Sequence, residues 1–274
     1  MFREQSRRGE DTAPYHVCVD SGHWRSRRGG TLRPTRQIGL RDEEGRTKVG
    51  REMKTVLITG AYRGLGFETA RQLSERGWRV IISARRSDKA VAASKLKNAS
   101  FLEMDVADDA SVARAAGQVR ELDVLINNAA IIEDNDQDIT TIRPEVIART
   151  ISTNALGALR VSQAFLPPLL KSSTPRIVNV SSGAGQLSDM GTWSPAYAAS
   201  KTTLNAITCL LAAGLKEKGF AVNSVCPGWC RTEMGGSEAP RSVEEGAAGI
   251  VWLAADAPQE KTGLFWRDKQ VIPW

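Results

Sequence analysis

Six short apolar runs recur from Met53 onward: KTVLITG (54–60), WRVIISA (78–84), SFLEMDV (100–106), LDVLINNAA (122–130), RIVNVSS (176–182) and FAVNSVCPG (220–228). None alternates strictly between apolar and polar residues, as a strand with one wet face would. Strands of this kind are buried on both faces, as in a parallel sheet covered by helices. Between the first two runs, GFETARQLSERG (66–77) predicts an amphipathic helix ending at Gly77. Strand, helix and strand then repeat. The expectation is one doubly wound α/β domain with a parallel sheet over residues 53–274.

Residues 1–52 have neither strand alternation nor helical periodicity, and they predict a disordered basic extension. They hold 12 of the 37 Lys/Arg and 8 of the 31 Asp/Glu, so most of the net charge of +6 belongs to them rather than to the domain. A basic balance of this origin argues against a nucleic-acid partner. An Arg-rich leader is one reading of this segment, although eight acidic residues are unusual in one. A start-site artefact is another, since MKTVLITG is itself a sensible beginning. His16, Cys18 and His23 lie there too, too loosely spaced to predict a metal site. Cys209, Cys226 and Cys230 show no metal-ligand spacing, and Cys226 and Cys230 are expected to be packing residues; no metal is predicted. Reduced thiols suggest a cytoplasmic setting, organelle targeting by residues 1–52 remaining open. No apolar run approaches the roughly 18 residues of a membrane span, so no membrane partner is expected.

Between the first strand and helix lies TGAYRGLG, with Gly60, Gly64 and Gly66. Glycine there lets backbone approach a ligand closely, while the following helix offers free N–H groups and its positive dipole end to a phosphate. The turn predicts a dinucleotide site of the Rossmann type, a mere tight connection being the alternative, although G-x-x-x-G-x-G departs from the commoner G-x-G-x-x-G. Arg63 and Leu65 belong to the same turn. The second run ends in Ala84-Arg85-Arg86 where an NAD site usually carries a carboxylate. A guanidinium pairs bidentately with a 2′-phosphate, so Arg85, with Arg63 as second cation, points to NADP(H); Arg86 is expected to face water. Asp105, beside Val106, can accept from an adenine amino group. Asn127 and Ala129 end the fourth run where backbone must pass close to the cofactor.

Farther along, SPAYAASKTTLNAITCLLAAGL places Lys201 four residues after Tyr197. On a helix such residues stack about 6 Å apart. An ammonium there favours the phenolate and is expected to lower the tyrosine pKa from about 10, making a tunable proton donor. The rest of the stretch, Leu204 to Leu215, is packing surface for this chain or for another subunit. Ser181 and Ser182 close the fifth run, where a hydroxyl can bind a carbonyl oxygen. Asn154 stands inside a predicted helix, where asparagine is a poor helix former. A buried Asn satisfying backbone is the alternative to a functional one.

TGAYRGLG, NNAA, Asn154, NVSS, YAASK and PGWCRT, in this order and at these intervals, resemble the short-chain dehydrogenase/reductase family over nearly all of residues 54–274. RIVNVSSGAGQLSDMG, NSVCPGWCRTEMGG and FWRDKQVIPW resemble its carbonyl-reductase-like branch. The resemblance implies a catalytic tetrad. Asn154 would hold a relay water, Ser182 rather than Ser181 would orient the carbonyl, and Tyr197 would act as proton donor. Lys201 would lower the tyrosine pKa and bind the nicotinamide ribose. It also implies that Thr232 contacts the nicotinamide carboxamide, with Pro227 and Gly228 shaping the turn. Ala130 stands where the family usually has glycine, and Tyr62 where Asn or Ser is frequent.

The function implied is NADPH-dependent reduction of a ketone, aldehyde or quinone carbonyl, a reversible hydride transfer with a small-molecule substrate. The alternative is a non-catalytic NADP(H)-binding sensor or scaffold. Residues 234–242 predict a flap over the substrate, and Trp193 and Trp229 line either the pocket or the core. Both a monomer and a homo-oligomer are compatible with the sequence.

Overall fold

A computed structural model of the protein describes residues 53–134 and 137–274; the expectations for residues 1–52 lie outside them. The elements are β1 (Thr55–Thr59), α1 (Gly64–Glu75), β2 (Arg79–Ala84), α2 (Val91–Ser94), β3 (Ala99–Glu103), α3 (Asp109–Ala116), β4 (Val124–Asn127) and α4 (Pro144–Ile151). After them come α5 (Gly157–Ala164), α6 (Leu166–Leu169), β5 (Arg176–Val180), α7 (Pro195–Leu215), β6 (Ala221–Val225), α8 (Val243–Ala255), β7 (Phe265–Arg267) and β8 (Gln270–Ile272).

The strands form one sheet in the order β3-β2-β1-β4-β5-β6-β7-β8. All pairs are parallel except the last. Every residue of β1, β5 and β6 is buried, which is why their sequences do not alternate. Val56, Ile58, Val80, Ile82, Val124 and Ile126 face Ala70 and Leu73 of α1 and Ile250 and Leu253 of α8. Their neighbours Leu57, Ile81, Leu125, Ile177 and Val222 face Val112 of α3, Val161 of α5 and Leu215 of α7. Each face thus has its own core.

The expected sheet needs correction at one edge. Phe265–Arg267 adds a seventh parallel strand and Gln270–Ile272 returns antiparallel to it. Asp268 and Lys269, with φ of 50° and 63°, make the tight turn between them. Two positive φ values match the twist of paired strands, but the turn lacks the Gly that normally announces it. Strands of three residues also leave little periodicity to detect.

Direction reverses at β1, which has β2 on one side and β4 on the other. The crevice outside the carboxyl ends of β1 and β4 is where ligands collect in such sheets. The glycine turn, the residues after β4 and β5, and the first turns of α7 all emerge there. No helix among the described residues is long and apolar enough to cross a membrane.

Candidate active site

The turn after β1 is shaped by close backbone approach. Gly60 has φ +64°, and a Cβ on it would come within 3.0 Å of the Ala129 Cα. On Gly66 a Cβ would meet the Asn128 Nδ2 at 2.5 Å. Asn128 is the reason the two strand ends stay together: its Nδ2 donates to the Thr59 carbonyl at 2.9 Å, and its backbone N–H to the Thr59 hydroxyl at 2.9 Å. The sequence reading missed this residue, although its place beside Asn127 in NNAA was the available signal.

Helix α1 begins directly at this turn, without a side-chain cap and without an acidic residue in its first turn. Its N-terminal N–H groups and dipole are therefore left for an anion, which fits the phosphates of a dinucleotide. At the end of β2, Arg86 pairs with Asp88, whereas Arg85 is exposed and has no ionic partner among the described residues. Arg63 pairs with Glu233 and lies 5.1 Å over the Tyr62 ring, with the Lys89 ammonium 5.7 Å from the same ring. Of the two cations expected to meet a phosphate, Arg63 is engaged and Arg85 is not, among the described residues.

At the other cofactor candidates, backbone dominates. The Asp105 carboxylate accepts the Ala107 N–H at 2.9 Å, and Val106 packs so closely on Gly157 that a Cβ there would lie 3.1 Å away. The Asn127 amide is spent inside the fold, donating to the Ser162 hydroxyl at 3.0 Å and the Asn179 Oδ1 at 2.8 Å. Thr232 sits opposite Gly64, and its hydroxyl accepts the Gly235 N–H at 3.0 Å. Leu65 packs with α1 against the core. At Pro227-Gly228 the chain turns with φ +78° at the glycine, covered by the Arg241 side chain.

Helix α7 brings Tyr197 and Lys201 to the same edge. Ser194 before it has no side-chain cap bond. The helix is capped across space by Asp134, buried, whose Oδ2 accepts the Ala196 N–H at 2.5 Å. Lys201 is 2% exposed, and its ammonium lies 5.4 Å from the centre of the Tyr197 ring and donates to the Val180 carbonyl at 2.8 Å. The Ser182 hydroxyl accepts the Ala184 N–H at 3.2 Å and lies near enough to the Tyr197 phenol to act on its pKa, while the Ser181 hydroxyl is buried and turned toward the Lys201 carbonyl. The two serines thus face different ways, and Ser182 is the one beside the phenol.

Asn154 does not lie in regular α-helix. A π-helical turn, Ser152–Leu156, interrupts the path from α4 to α5, an irregularity common at functional sites. The Asn154 amide accepts the Ile131 N–H at 2.8 Å and donates to the Ile131 carbonyl and the Ser200 hydroxyl, both at 2.9 Å. Its side chain therefore ties the loop after β4 to α7 and has no donor left for a water.

One expectation is reversed. Tyr197 was expected to have a lowered pKa; burial instead pushes it up to about 12, against the opposing pull of the Ser182 hydroxyl. Burial also brings the Lys201 ammonium down to about 8, with Cys226 acting the other way. For each group desolvation is the largest influence, and it favours the neutral form. The phenol accordingly holds its proton throughout the neutral range.

Trp193 and Trp229 are 56% and 57% exposed, which excludes the core reading. Trp193 meets the Tyr197 ring edge-on at 5.9 Å. Trp229 donates to the Gly235 carbonyl at 2.7 Å, so the predicted flap is tied to the turn before it. Cys226 is buried, as expected, but its sulfur also accepts the Gly183 N–H at 3.1 Å. Along α7, Leu204, Ile207, Ala212 and Leu215 are packed inside, while Leu210 is 73% exposed.

Residues 54–242 match the model described as short chain dehydrogenase. A short-chain dehydrogenase of Penicillium roqueforti (strain FM164), anuI, is 36% identical over 242 residues, covering 79% of this chain and 95% of that protein. The (+)-neomenthol dehydrogenase of Arabidopsis thaliana is 33% identical, covering 78% and 96%. Among solved structures, NADPH-bound carbonyl reductase from chicken fatty liver superposes with a TM-score of 0.75 at 28% identity, over 81% of this chain and 94% of that one. Carbonyl reductase Sniffer of D. melanogaster gives 0.74 at 26% identity, over 81% and 100%. With a match that spans β1 to β6, the chain belongs to the short-chain dehydrogenase/reductase family of oxidoreductases.

Proposed function

We propose that this protein is an NADPH-dependent reductase of uncharged, apolar carbonyl compounds. The observation that carries the reading is the convergence of the Ser182 hydroxyl, the Tyr197 phenol and the Lys201 ammonium beside an uncapped helix N-terminus, with Arg85 unengaged at the neighbouring strand end. NADPH, when bound, supplies the hydride that reaches the carbonyl carbon. Ser182 donates to the carbonyl oxygen and orients it, and Tyr197 delivers the proton that converts the developing alkoxide to an alcohol. A phenol raised to about 12 is protonated at neutral pH, as a general acid must be. Lys201, held against the Val180 carbonyl, stabilises the phenolate left after proton transfer and binds the nicotinamide ribose.

Asn154 acts by posture in this reading: its amide braces α7 and the loop after β4, and both of its N–H donors are engaged in doing so. Arg85 binds the 2′-phosphate; Thr232, Pro227 and Gly228 border the nicotinamide. Leu187, Met190, Trp193, Trp229 and Met234, all exposed on the loops after β5 and β6, favour an apolar substrate.

The test is NADPH oxidation against quinones, aromatic ketones, cyclic aliphatic ketones and aldehydes, with NADH as control and Tyr197→Phe alongside. We expect turnover with NADPH, and in Tyr197→Phe loss of turnover with NADPH binding retained. A fully active Tyr197→Phe enzyme would refute the mechanism, and no turnover across the panel would refute the function.

A further inference from the structure

We infer that Arg267 and Asp268, at the turn of the β7–β8 hairpin, are positioning residues that hold the two loops flanking Tyr197 from behind. The inference rests on the reductase reading above. Neither residue is among the groups assigned to substrate or cofactor, and the sequence stretch that carries them, FWRDKQVIPW, is otherwise unexplained by that reading.

Arg267 acts on the loop after β5. Its Nε and Nη2 each donate to the Cys226 Sγ at 3.3 Å, and Nη2 also donates to the Gln186 Oε1 at 3.2 Å. The same sulfur accepts the Gly183 N–H at 3.1 Å. One sulfur atom therefore joins the active-site ends of β5, β6 and β7. A Cβ on Gly183 would lie 2.6 Å from Nη2, so glycine lets the guanidinium rest on the backbone immediately after Ser182. The C-terminal tail completes the brace. Gln186 donates to the Pro273 carbonyl at 3.0 Å, Ser188 N–H to the Trp274 carbonyl at 3.3 Å, and Trp274 stacks on Phe265 at 5.4 Å.

Asp268 acts on the loop after β6. It accepts two bonds from the Arg241 guanidinium, at 2.6 and 3.1 Å. Arg241 covers Gly228, and its backbone bonds to the Trp229 carbonyl at 3.2 Å and the Arg231 N–H at 2.9 Å. That loop leads to Thr232. The tight turn, with positive φ at Asp268, places two adjacent side chains on two different loops. One hairpin turn thus serves the carbonyl-orienting side of the site through Arg267 and the nicotinamide side through Asp268.

This division gives two kinetic signatures that a general loss of stability would not separate. Arg267→Gln should lower kcat about a hundredfold, the scale of an ångström-sized misplacement, with the KM for NADPH unchanged. Arg267→Lys should recover part of the loss. Asp268→Asn should weaken NADPH about tenfold, as for one charge-assisted hydrogen bond, with kcat largely kept. The swap Arg241→Asp with Asp268→Arg should restore that affinity.

Two readouts need no turnover. NADPH binding, followed by its fluorescence, should weaken in Asp268→Asn. Iodoacetamide labelling of Cys226, followed by mass spectrometry, should accelerate in Arg267→Gln and not in Asp268→Asn. If both variants change only the thermal midpoint, or shift kcat and both KM values together, the inference is overturned. Unchanged binding and labelling overturn it whether or not the wild type reduces a carbonyl. Failure of Tyr197→Phe to lose activity would instead overturn the reductase reading alone.

Discussion

Replacing Lys201 by Met should make the protein more stable at neutral pH while destroying its activity. Lys201 is buried, and its ammonium falls from an ordinary 10.5 to about 8 in the folded chain. The gap corresponds to about 3 kcal/mol by proton linkage. At pH 7 the group is charged in both folded and unfolded chains, so the whole penalty acts against folding. Between about pH 8 and 10.5 the folded form has shed the proton while the unfolded form keeps it, and wild-type stability rises with pH. Methionine fills similar space without the charge, but leaves the Val180 carbonyl, now bonded at 2.8 Å, without its donor. That loss costs about 1 kcal/mol, so the net gain at pH 7 is about 2 kcal/mol. For a domain of this size it raises Tm by roughly 4–8 °C. Tyr197 stays neutral in the folded chain across this range but ionises near 10 when unfolded, a cost that wild type and variant share and that cancels from the difference. Urea or thermal unfolding of wild type and Lys201→Met at pH 7 and 10.5 checks the reasoning: the gain should fall to zero or below at the higher pH. A variant less stable than wild type at pH 7, or a gain independent of pH, would refute it.

Arg85→Ala should weaken NADPH by about tenfold or more and NADH little, measured as the ratio of the two KM values; equal losses would remove the 2′-phosphate role. Asn154→Ala should lower stability by about 2 kcal/mol as well as activity, because it unpairs the Ile131 backbone and the Ser200 hydroxyl. Denaturant unfolding would reveal a purely catalytic role by showing no change. Arg176 is buried at the far end of the sheet, donates to the Leu253 and Ala257 carbonyls at the end of α8, and has its pKa lowered by burial. Arg176→Ala should therefore destabilise by about 2 kcal/mol or more without altering the KM for NADPH, a separation that unfolding and kinetics measure together.

The site candidates that were legible in the sequence are those whose chemistry depends on chain-local spacing. Tyr197 and Lys201 are neighbours on any α-helix, and a glycine turn after a buried strand is recognisable wherever it falls. The expected strands recur with ends shifted by a few residues; double burial removes polar alternation in β1, β4, β5 and β6, whereas β3, at the sheet edge, is only partly buried. Partners distant along the chain were not legible. Asp134 caps α7 from 62 residues away, Arg241 reaches Asp268 across 27, and Arg267 reaches Cys226 across 41. No periodicity connects such pairs.

The sequence by itself therefore determined the strand and helix grammar, the place of the glycine turn and the pairing of a phenol with an ammonium on one helix. Tertiary structure decided what those groups are like. It turned Ser181 and Ser182 in different directions, engaged Arg63 while leaving Arg85 without a partner among the described residues, and consumed the Asn154 amide in holding backbone. It also reversed the expected sign at Tyr197. Covalent spacing sets which groups can meet, whereas a pKa is set by how much water the whole fold removes from around them, and desolvation has no signature in local sequence.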